Sequence, residues 1–143
     1  MKAHGSPETF RLTIPSQTRY LNLVTGLAKR ASSVAGLGDA DSSKVSISVD
    51  EAVTNVILHA YHGDAERWVE IELCFEPRDL VIHIWHDGDG LAEDEITLPD
   101  PGEYVTHPRK GGLGLLLMSR FMDEVHFFES PDRSECRMVK HVD

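Results

Sequence analysis

The chain has 143 residues, of which 41% are hydrophobic and 27% are charged, and its formal net charge is -10. A chain of this length can bury most of its apolar surface in one core, so we expect a single domain over residues 1–143 with its core between about 10 and 140. The acidic surplus argues against direct binding to nucleic acid, because such binding requires Lys and Arg concentrated on one surface.

The sequence also bears on location. No apolar run approaches the roughly 20 residues that a membrane helix needs, and the first residues lack the apolar stretch of a signal peptide. The two cysteines, Cys74 and Cys136, are far apart and show no metal-ligand spacing, which favours free thiols in a reducing compartment. We therefore expect a cytoplasmic protein without membrane contact.

The first half of the chain predicts one strand and two helices. Apolar and polar residues alternate over 10–15, the period of a half-buried strand. Apolar residues recur every three or four positions over 18–35, which predicts an amphipathic helix that ends at glycines. A second helix is predicted over 43–62, with Asp41 or Ser42 as its N-cap.

The second half predicts a β-hairpin, a long polar loop, a helix and two further strands. The loop contains three prolines and has no sustained period, and loops of this length are often functional lids. The predicted ranges are 68–75 and 80–85 for the hairpin, 91–110 for the lid, up to about 122 for the helix, and 125–128 and 136–142 for the last strands. The order β-α-α-β-β-loop-α-β-β fits an α/β sandwich with helices on one face of a mixed sheet.

On the second predicted helix, Glu51 and Asn55 lie one turn apart, on the side opposite to the apolar face. Such a polar side is also typical of an ordinary surface helix. A carboxamide oxygen can hold Mg²⁺ beside phosphates, and a carboxylate can accept the proton of an incoming hydroxyl. The pair therefore suits phosphoryl transfer. The nearby His59 and His62 favour a hydrogen-bonded scaffold over a structural zinc site.

Two glycine-rich runs complete the candidate site. The first, 86–90, directly follows an apolar strand, and its glycines permit a tight turn and close approach to a flat ligand, although Asp-Gly pairs also form ordinary turns. The second, 111–114, opens a helix, whose first N–H groups and dipole attract phosphate. Arg109 and Lys110 stand just before it and add positive charge.

The order of these motifs resembles that of the N, G1 and G2 boxes in the GHKL ATPase superfamily. Within it, the runs 51–55, 59–61, 111–117 and 122–125 look most like those of the anti-sigma-factor serine/threonine kinases. The similarity extends from about Phe10 to Lys140. It implies a Bergerat-type ATP-binding fold of the α/β (α+β) class, a two-layer sandwich with a mixed, mostly antiparallel sheet and helices on one face.

The resemblance also implies cofactors and site residues. ATP and Mg²⁺ are the expected cofactors, with Asn55 coordinating the metal and Glu51 acting as the base toward a protein serine hydroxyl. The glycine runs would surround the triphosphate and shape the adenine end. The full set of cofactor contacts implied is Asn55, His86, Asp87, Gly88, Gly90, Arg109, Lys110, Gly111, Gly112, Leu113 and Gly114.

One position departs from the family pattern. His86 stands where the family has the Asp that receives the adenine amino group. A neutral imidazole nitrogen can still accept one hydrogen bond, but it lacks the charge of a carboxylate. We therefore expect a weaker contact with adenine.

The partners implied by the resemblance are a sigma factor, which the protein would bind, and an anti-anti-sigma (STAS) antagonist, which it would phosphorylate on Ser or Thr. The family resemblance also suggests a homodimer. His86 favours an alternative, a non-catalytic or weakly ATP-binding partner-switching module that sequesters a regulatory protein. A third interpretation, the ATPase domain of a phosphotransfer histidine kinase, lacks the expected helix pair that carries a phosphoacceptor.

Overall fold

The computed structural model describes residues 8–89 and 112–142. The predicted lid and the predicted contacts Gly90, Arg109, Lys110 and Gly111 lie outside these residues. The described strands and helices are β1 (Glu8–Pro15), α1 (Leu21–Ala35), α2 (Asp39–Asn55), β2 (Trp68–Phe75), β3 (Asp79–His86), α3 (Gly112–Phe121), β4 (Glu124–Glu129) and β5 (Ser134–His141). A short 3₁₀ turn (Thr18–Tyr20) precedes α1, and a π-helical turn (Val56–Ala60) follows α2.

The five described strands form one sheet in the order β1-β2-β3-β5-β4. The predicted two-layer α+β fold is confirmed. Every pairing among the described strands is antiparallel, so this sheet is not mixed. The tight connections from β2 to β3 and from β4 to β5 are hairpins, and a hairpin can join only antiparallel strands.

The two faces of the sheet differ because successive strand residues point to opposite sides. One face packs against the helices and forms the main core, whose fully buried members include Ile71, Leu73, Ile82, Ile84 and Met138. The other, which we call the open face, carries polar pairs across neighbouring strands. Those pairs include Arg11 with Glu72 at 2.6 Å and His83 with Glu135 at 2.5 Å.

Helix α2 begins earlier than predicted. Its N-cap is Gly38, in an extended conformation, so the predicted caps Asp41 and Ser42 are wrong. Asp39 and Asp41 instead lie in the first turn, where the helix dipole favours negative charge. The acidic residues near 41 therefore do mark the start of the helix, but they lie in its first turn rather than at its N-cap.

The predicted single helix over 43–62 is also interrupted. After Asn55 the chain widens into the π-helical turn, in which the Tyr61 N–H donates to the Val56 carbonyl oxygen at 2.8 Å. His62 and Gly63 then take left-handed conformations, with φ of 53° and 79°. A π turn leaves no mark in apolar periodicity, and such turns often lie at functional sites.

Helix α3 is tied to the sheet at its C-terminal end. The largely buried Lys140 on β5 donates from Nζ to the Phe121 carbonyl oxygen at 2.8 Å. This oxygen lies at the C-terminal end of the helix, where a cation is favourable.

Both cysteines are free and buried, and burial raises the pKa of the Cys136 thiol to about 12. No helix within the described ranges is long and apolar enough to cross a membrane.

Two buried serines in the helices allow a matched test of hydrogen bonding. Ser48 Oγ is buried and has no hydrogen-bond partner among the described residues, whereas Ser32 Oγ donates to the Ala28 carbonyl oxygen at 2.8 Å. An unpaired buried hydroxyl costs about 1–3 kcal/mol, so Ser48→Ala should raise the free energy of unfolding relative to Ser32→Ala by about 1 kcal/mol. Urea denaturation of both variants measures the difference. Equal stabilities, or a less stable Ser48→Ala, would contradict the assignment.

Candidate functional site

The Glu51 side chain lies directly against the start of α3. A β-carbon built at Gly114 would collide with the Glu51 carboxylate oxygen Oε2 and would lie 3.3 Å from its Cδ. The structure therefore brings together two residues that the sequence placed in separate motifs. Only glycine leaves room for the carboxylate in this position.

The environment of Glu51 changes its acidity. Burial raises the pKa of Glu51, and the neighbouring Asp50 carboxylate raises it further. A carboxyl group whose pKa moves toward neutrality is a better proton acceptor at physiological pH than an ordinary glutamate. The raised pKa supports the role of a base for Glu51, which stays a prediction.

Asn55 is the last residue of α2 and is half-buried. It lies one helical turn after Glu51 and directly before the π turn. Within residues 8–89 and 112–142 its side chain makes no hydrogen bond. Its amide is therefore not used by the protein scaffold and can serve a ligand.

The loop after β3 packs closely on the π turn. A β-carbon built at Gly88 would lie 2.5 Å from the Ala60 carbonyl oxygen and 2.6 Å from Tyr61 Cδ1. The next residue, Asp89, donates its N–H to the same carbonyl oxygen at 3.1 Å. The first glycine of this run is therefore required by backbone contact, and the loop is fixed to the end of the α2 segment.

Asp87 belongs to a hydrogen-bonded cluster. Its carboxylate accepts from Arg67 at 2.6 Å and from the Tyr61 hydroxyl at 3.2 Å, and the Tyr61 hydroxyl also contacts the Trp68 carbonyl oxygen at 2.5 Å. The bond from Arg67 holds the pKa of Asp87 below its usual value. The carboxylate thus fixes the loop, while the predicted contact of Asp87 with the cofactor stays a prediction.

His86 is held in one orientation. Its ring lies edge-on to Tyr61, with centroids 5.9 Å apart, and its Nδ1 accepts the Gly88 N–H at 3.2 Å. Burial lowers the pKa of His86, so the ring is neutral at pH 7. The single proton of a neutral imidazole whose Nδ1 accepts must be on Nε2. The sequence had led us to expect an accepting nitrogen, but Gly88 uses it, and the ring presents a donor instead.

The described site thus has two closely packed contacts, Glu51 with Gly114 and Ala60 with Gly88. Along the chain, Asn55 lies between Glu51 and Ala60. Sequence reasoning missed the Arg67–Asp87–Tyr61 cluster, because its members lie in two loops, before β2 and after β3, and share no local pattern. Across 8–89 and 112–142 no group of three or more His, Cys, Asp or Glu side chains is placed to hold a metal ion.

Comparison with known proteins shows the family to which the chain belongs. Residues 14–140 match the family described as Histidine kinase-like ATPase domain. The serine-protein kinase RsbW of Staphylococcus epidermidis is 35% identical over 148 residues, which cover 96% of this chain and 89% of that protein. RsbW of Listeria monocytogenes is 29% identical over 125 residues, covering 82% and 77%. The chain therefore belongs to the histidine kinase-like ATPase family and, within it, to the group of serine-protein kinases RsbW.

Solved structures share the fold. A chain of the SiaB-SiaC complex from Pseudomonas aeruginosa matches with a TM-score of 0.63 and 12% identity, over 91% of this chain and 88% of that one. The RsbU and RsbW domains of Rv1364c from Mycobacterium tuberculosis match with a TM-score of 0.62 and 12% identity, over 93% of this chain and 32% of that longer chain. At such identities the likeness shows the fold alone.

The close packing at Gly88 predicts a large cost for a small substitution. Gly88→Ala places a methyl group against the Ala60 carbonyl oxygen, a backbone atom that cannot move aside, and should lower the free energy of unfolding by about 1–3 kcal/mol. Gly26→Ala is the control, because Gly26 lies in α1 with nothing within 4 Å of its added β-carbon, and this change should stabilise by about 1 kcal/mol. Thermal or urea unfolding distinguishes them; similar stabilities would contradict the packing.

Proposed function

We propose that the chain is an anti-sigma regulatory factor that acts as an ATP-dependent serine/threonine protein kinase. It binds a sigma factor and phosphorylates an anti-anti-sigma (STAS) antagonist. The proposal extends to this chain the activity that the name serine-protein kinase gives to its relatives. We further propose that residues 1–143 form one domain, that the protein is cytoplasmic, and that it uses ATP with Mg²⁺.

The observation that carries the proposal is the position of Glu51. Its carboxylate lies against the first turn of α3, next to Gly114, with the free amide of Asn55 one turn away on the same helix. In this proposal Glu51 is the base and Asn55 the neutral oxygen ligand, and Glu51 lies beside a helix start whose N–H groups attract anions. These are the parts that phosphoryl transfer to a hydroxyl needs.

The cofactor fits the residues present. A Mg²⁺ ion bound through phosphates needs few protein ligands and keeps several waters, so Asn55 as a single ligand suffices where no larger cluster of described metal ligands exists. Bound MgATP would supply the transferable phosphoryl group and the positive charge of the metal.

The chain's own contribution is proton transfer and orientation. Glu51 Oε accepts the proton of the serine or threonine hydroxyl, and its raised pKa makes that acceptance easier near neutral pH. Gly114 leaves room for the carboxylate in this position, because a side chain there would displace it. Asn55 would hold the metal through its amide oxygen, since no described protein group competes for it.

Replacing Glu51 tests the base assignment directly. Glu51→Gln keeps the shape of the side chain and removes its basicity, so labelling of a cognate STAS antagonist with radiolabelled ATP should fall by at least about 100-fold. Asp50→Asn is the matched control, because it removes the adjacent carboxylate, which is hydrogen-bonded to Thr54 at 3.3 Å. Labelling should survive this change.

The pH dependence provides a second readout of the same experiment. The base works only when deprotonated, so labelling by the wild type should decline on acidification at a higher pH than the usual glutamate pKa of 4.5 would give. Asp50→Asn removes one cause of the raised pKa and should move this decline to lower pH. Labelling that persists in Glu51→Gln, or a decline that Asp50→Asn leaves in place, would reject the assignment.

His86 should weaken the binding of ATP if it faces the adenine amino group. A neutral ring with its proton on Nε2 presents a donor to another donor, whereas a carboxylate accepts. His86→Asp should therefore bind MgATP about tenfold more tightly by calorimetry, because a hydrogen bond to a charged group contributes about 1.5–3 kcal/mol. His126→Asp makes the same change at an exposed position on β4 and should leave the affinity unchanged.

The calorimetric titration with MgATP also distinguishes a kinase from a partner-switching module. Unchanged or weaker binding by His86→Asp would contradict the role given to His86. Absence of binding by the wild type at millimolar MgATP would favour the alternative, a partner-switching module that binds nucleotide weakly or not at all. The observation that favours this second function is that Gly88 occupies His86 Nδ1, which leaves the ring with a donor at Nε2.

A further inference from the structure

A cleft of about 430 Å³ lies at one end of β2 and β3. It starts on the open face of the sheet, where Thr13, Glu70 and Trp85 are neighbours on adjacent strands, and extends toward Tyr61. Both tryptophans of the chain line it. Trp68 is 60% exposed, an unusual position for the largest apolar side chain.

Two arginines are held in fixed positions within this cleft. The Arg133 guanidinium lies 4.4 Å from the centre of the Trp85 ring and pairs with Glu70 at 3.2 Å. The Arg67 guanidinium lies 4.5 Å from the centre of the Tyr61 ring and is engaged by Asp87, as described above. Because ring and carboxylate fix each arginine from two sides, little side-chain freedom remains to be lost when a partner binds.

The cleft has an excess of negative charge. Four carboxylates line it, and those of Glu70 and Asp87 are paired with the two arginines. The other two, Glu66 and Asp132, are exposed and have no hydrogen-bond or ion-pair partner for their side chains within the described part of the chain. The unpaired charge therefore favours a cation beside the exposed Trp68 ring.

We propose that this cleft, lined by Tyr61, Arg67, Trp68, Trp85 and Arg133, is a docking site for a protein segment that presents a Lys or Arg beside an apolar side chain. The cation lies over Trp68 and pairs with Glu66 and Asp132, and the apolar side chain fills the space between the two tryptophans. Trp, Tyr and Arg are the residues that most often carry the binding energy of protein interfaces, and an exposed indole attracts cations.

The charges decide between possible occupants. A nucleic acid would place phosphates beside four carboxylates in a protein of net charge -10. A second copy of this chain has the same acidic surplus. A basic segment of a different protein is the occupant that the charges attract. The cleft does not include Glu51 or Gly114, although His86 and Asp87 belong to its lining.

The two tryptophans make occupancy measurable in the full chain. The probe is a dye-labelled peptide of about twelve residues with alternating Lys and Leu, and the comparison peptide has Glu in place of Lys. The basic peptide should change the tryptophan emission saturably with one-to-one stoichiometry, and added salt should weaken its binding. The acidic peptide should cause no change.

Variants separate this cleft from general attraction to an acidic protein. Glu66→Gln with Asp132→Asn should weaken binding of the basic peptide about fivefold, measured by anisotropy of its dye. The control, Asp39→Asn with Glu76→Gln, removes the same charge at exposed positions that do not line the cleft and should leave the affinity within about twofold. Trp68→Ala should weaken it about thirtyfold, the effect of losing an interface anchor.

Four results would overturn the proposal. They are equal weakening by the two double variants, unchanged binding by Trp68→Ala in a protein whose thermal unfolding is unaltered, tighter binding of single-stranded DNA than of the peptide, and a concentration-dependent dimer that Trp68→Ala abolishes. The last would assign the cleft to a second copy of the chain.

Discussion

The Glu51 carboxylate occupies the space that a side chain at residue 114 would fill, and this contact joins α2 to the first turn of α3. Every larger residue at 114 would displace either the carboxylate or the helix. Since α3 is fixed to β5 by Lys140, and α2 packs on the sheet through a buried apolar side, the carboxylate is the part that would move. The carboxylate is therefore partly removed from water, which explains its raised pKa.

A second contact of the same kind fixes the other end of the site. Gly88 meets the carbonyl oxygen of Ala60, and Asp87 before it is held by Arg67 and the Tyr61 hydroxyl. The loop after β3 is thus joined to the π turn both by close backbone contact and by a charged cluster. Asn55 lies between the two contacts along the chain, so the same helical segment positions Glu51, the Asn55 amide and the loop.

Much of this arrangement was predictable from the sequence. Alternation and three-to-four spacing located each described strand and helix within a few residues, and motif order placed Glu51, Asn55, Gly88 and Gly114 in one family pattern. The N-cap of α2 was missed because Asp39 and Asp41 favour the first turn as well as a cap. The π turn was missed because one extra residue in a turn hardly alters apolar spacing. The proton position on His86 depends on a bond from Gly88 that no pattern reports.

The π turn over Val56–Ala60 constrains the length of this segment as well as its composition. An α-helix rotates by about 100° per residue, so the added residue in this turn rotates everything after it by that angle relative to an uninterrupted helix. Tyr61 reaches Asp87 and Trp68 only with that rotation in place. Homologous chains that lack one residue here would direct the ring elsewhere, so alignment gaps within 56–60 would mark members whose loop after β3 is anchored by different residues.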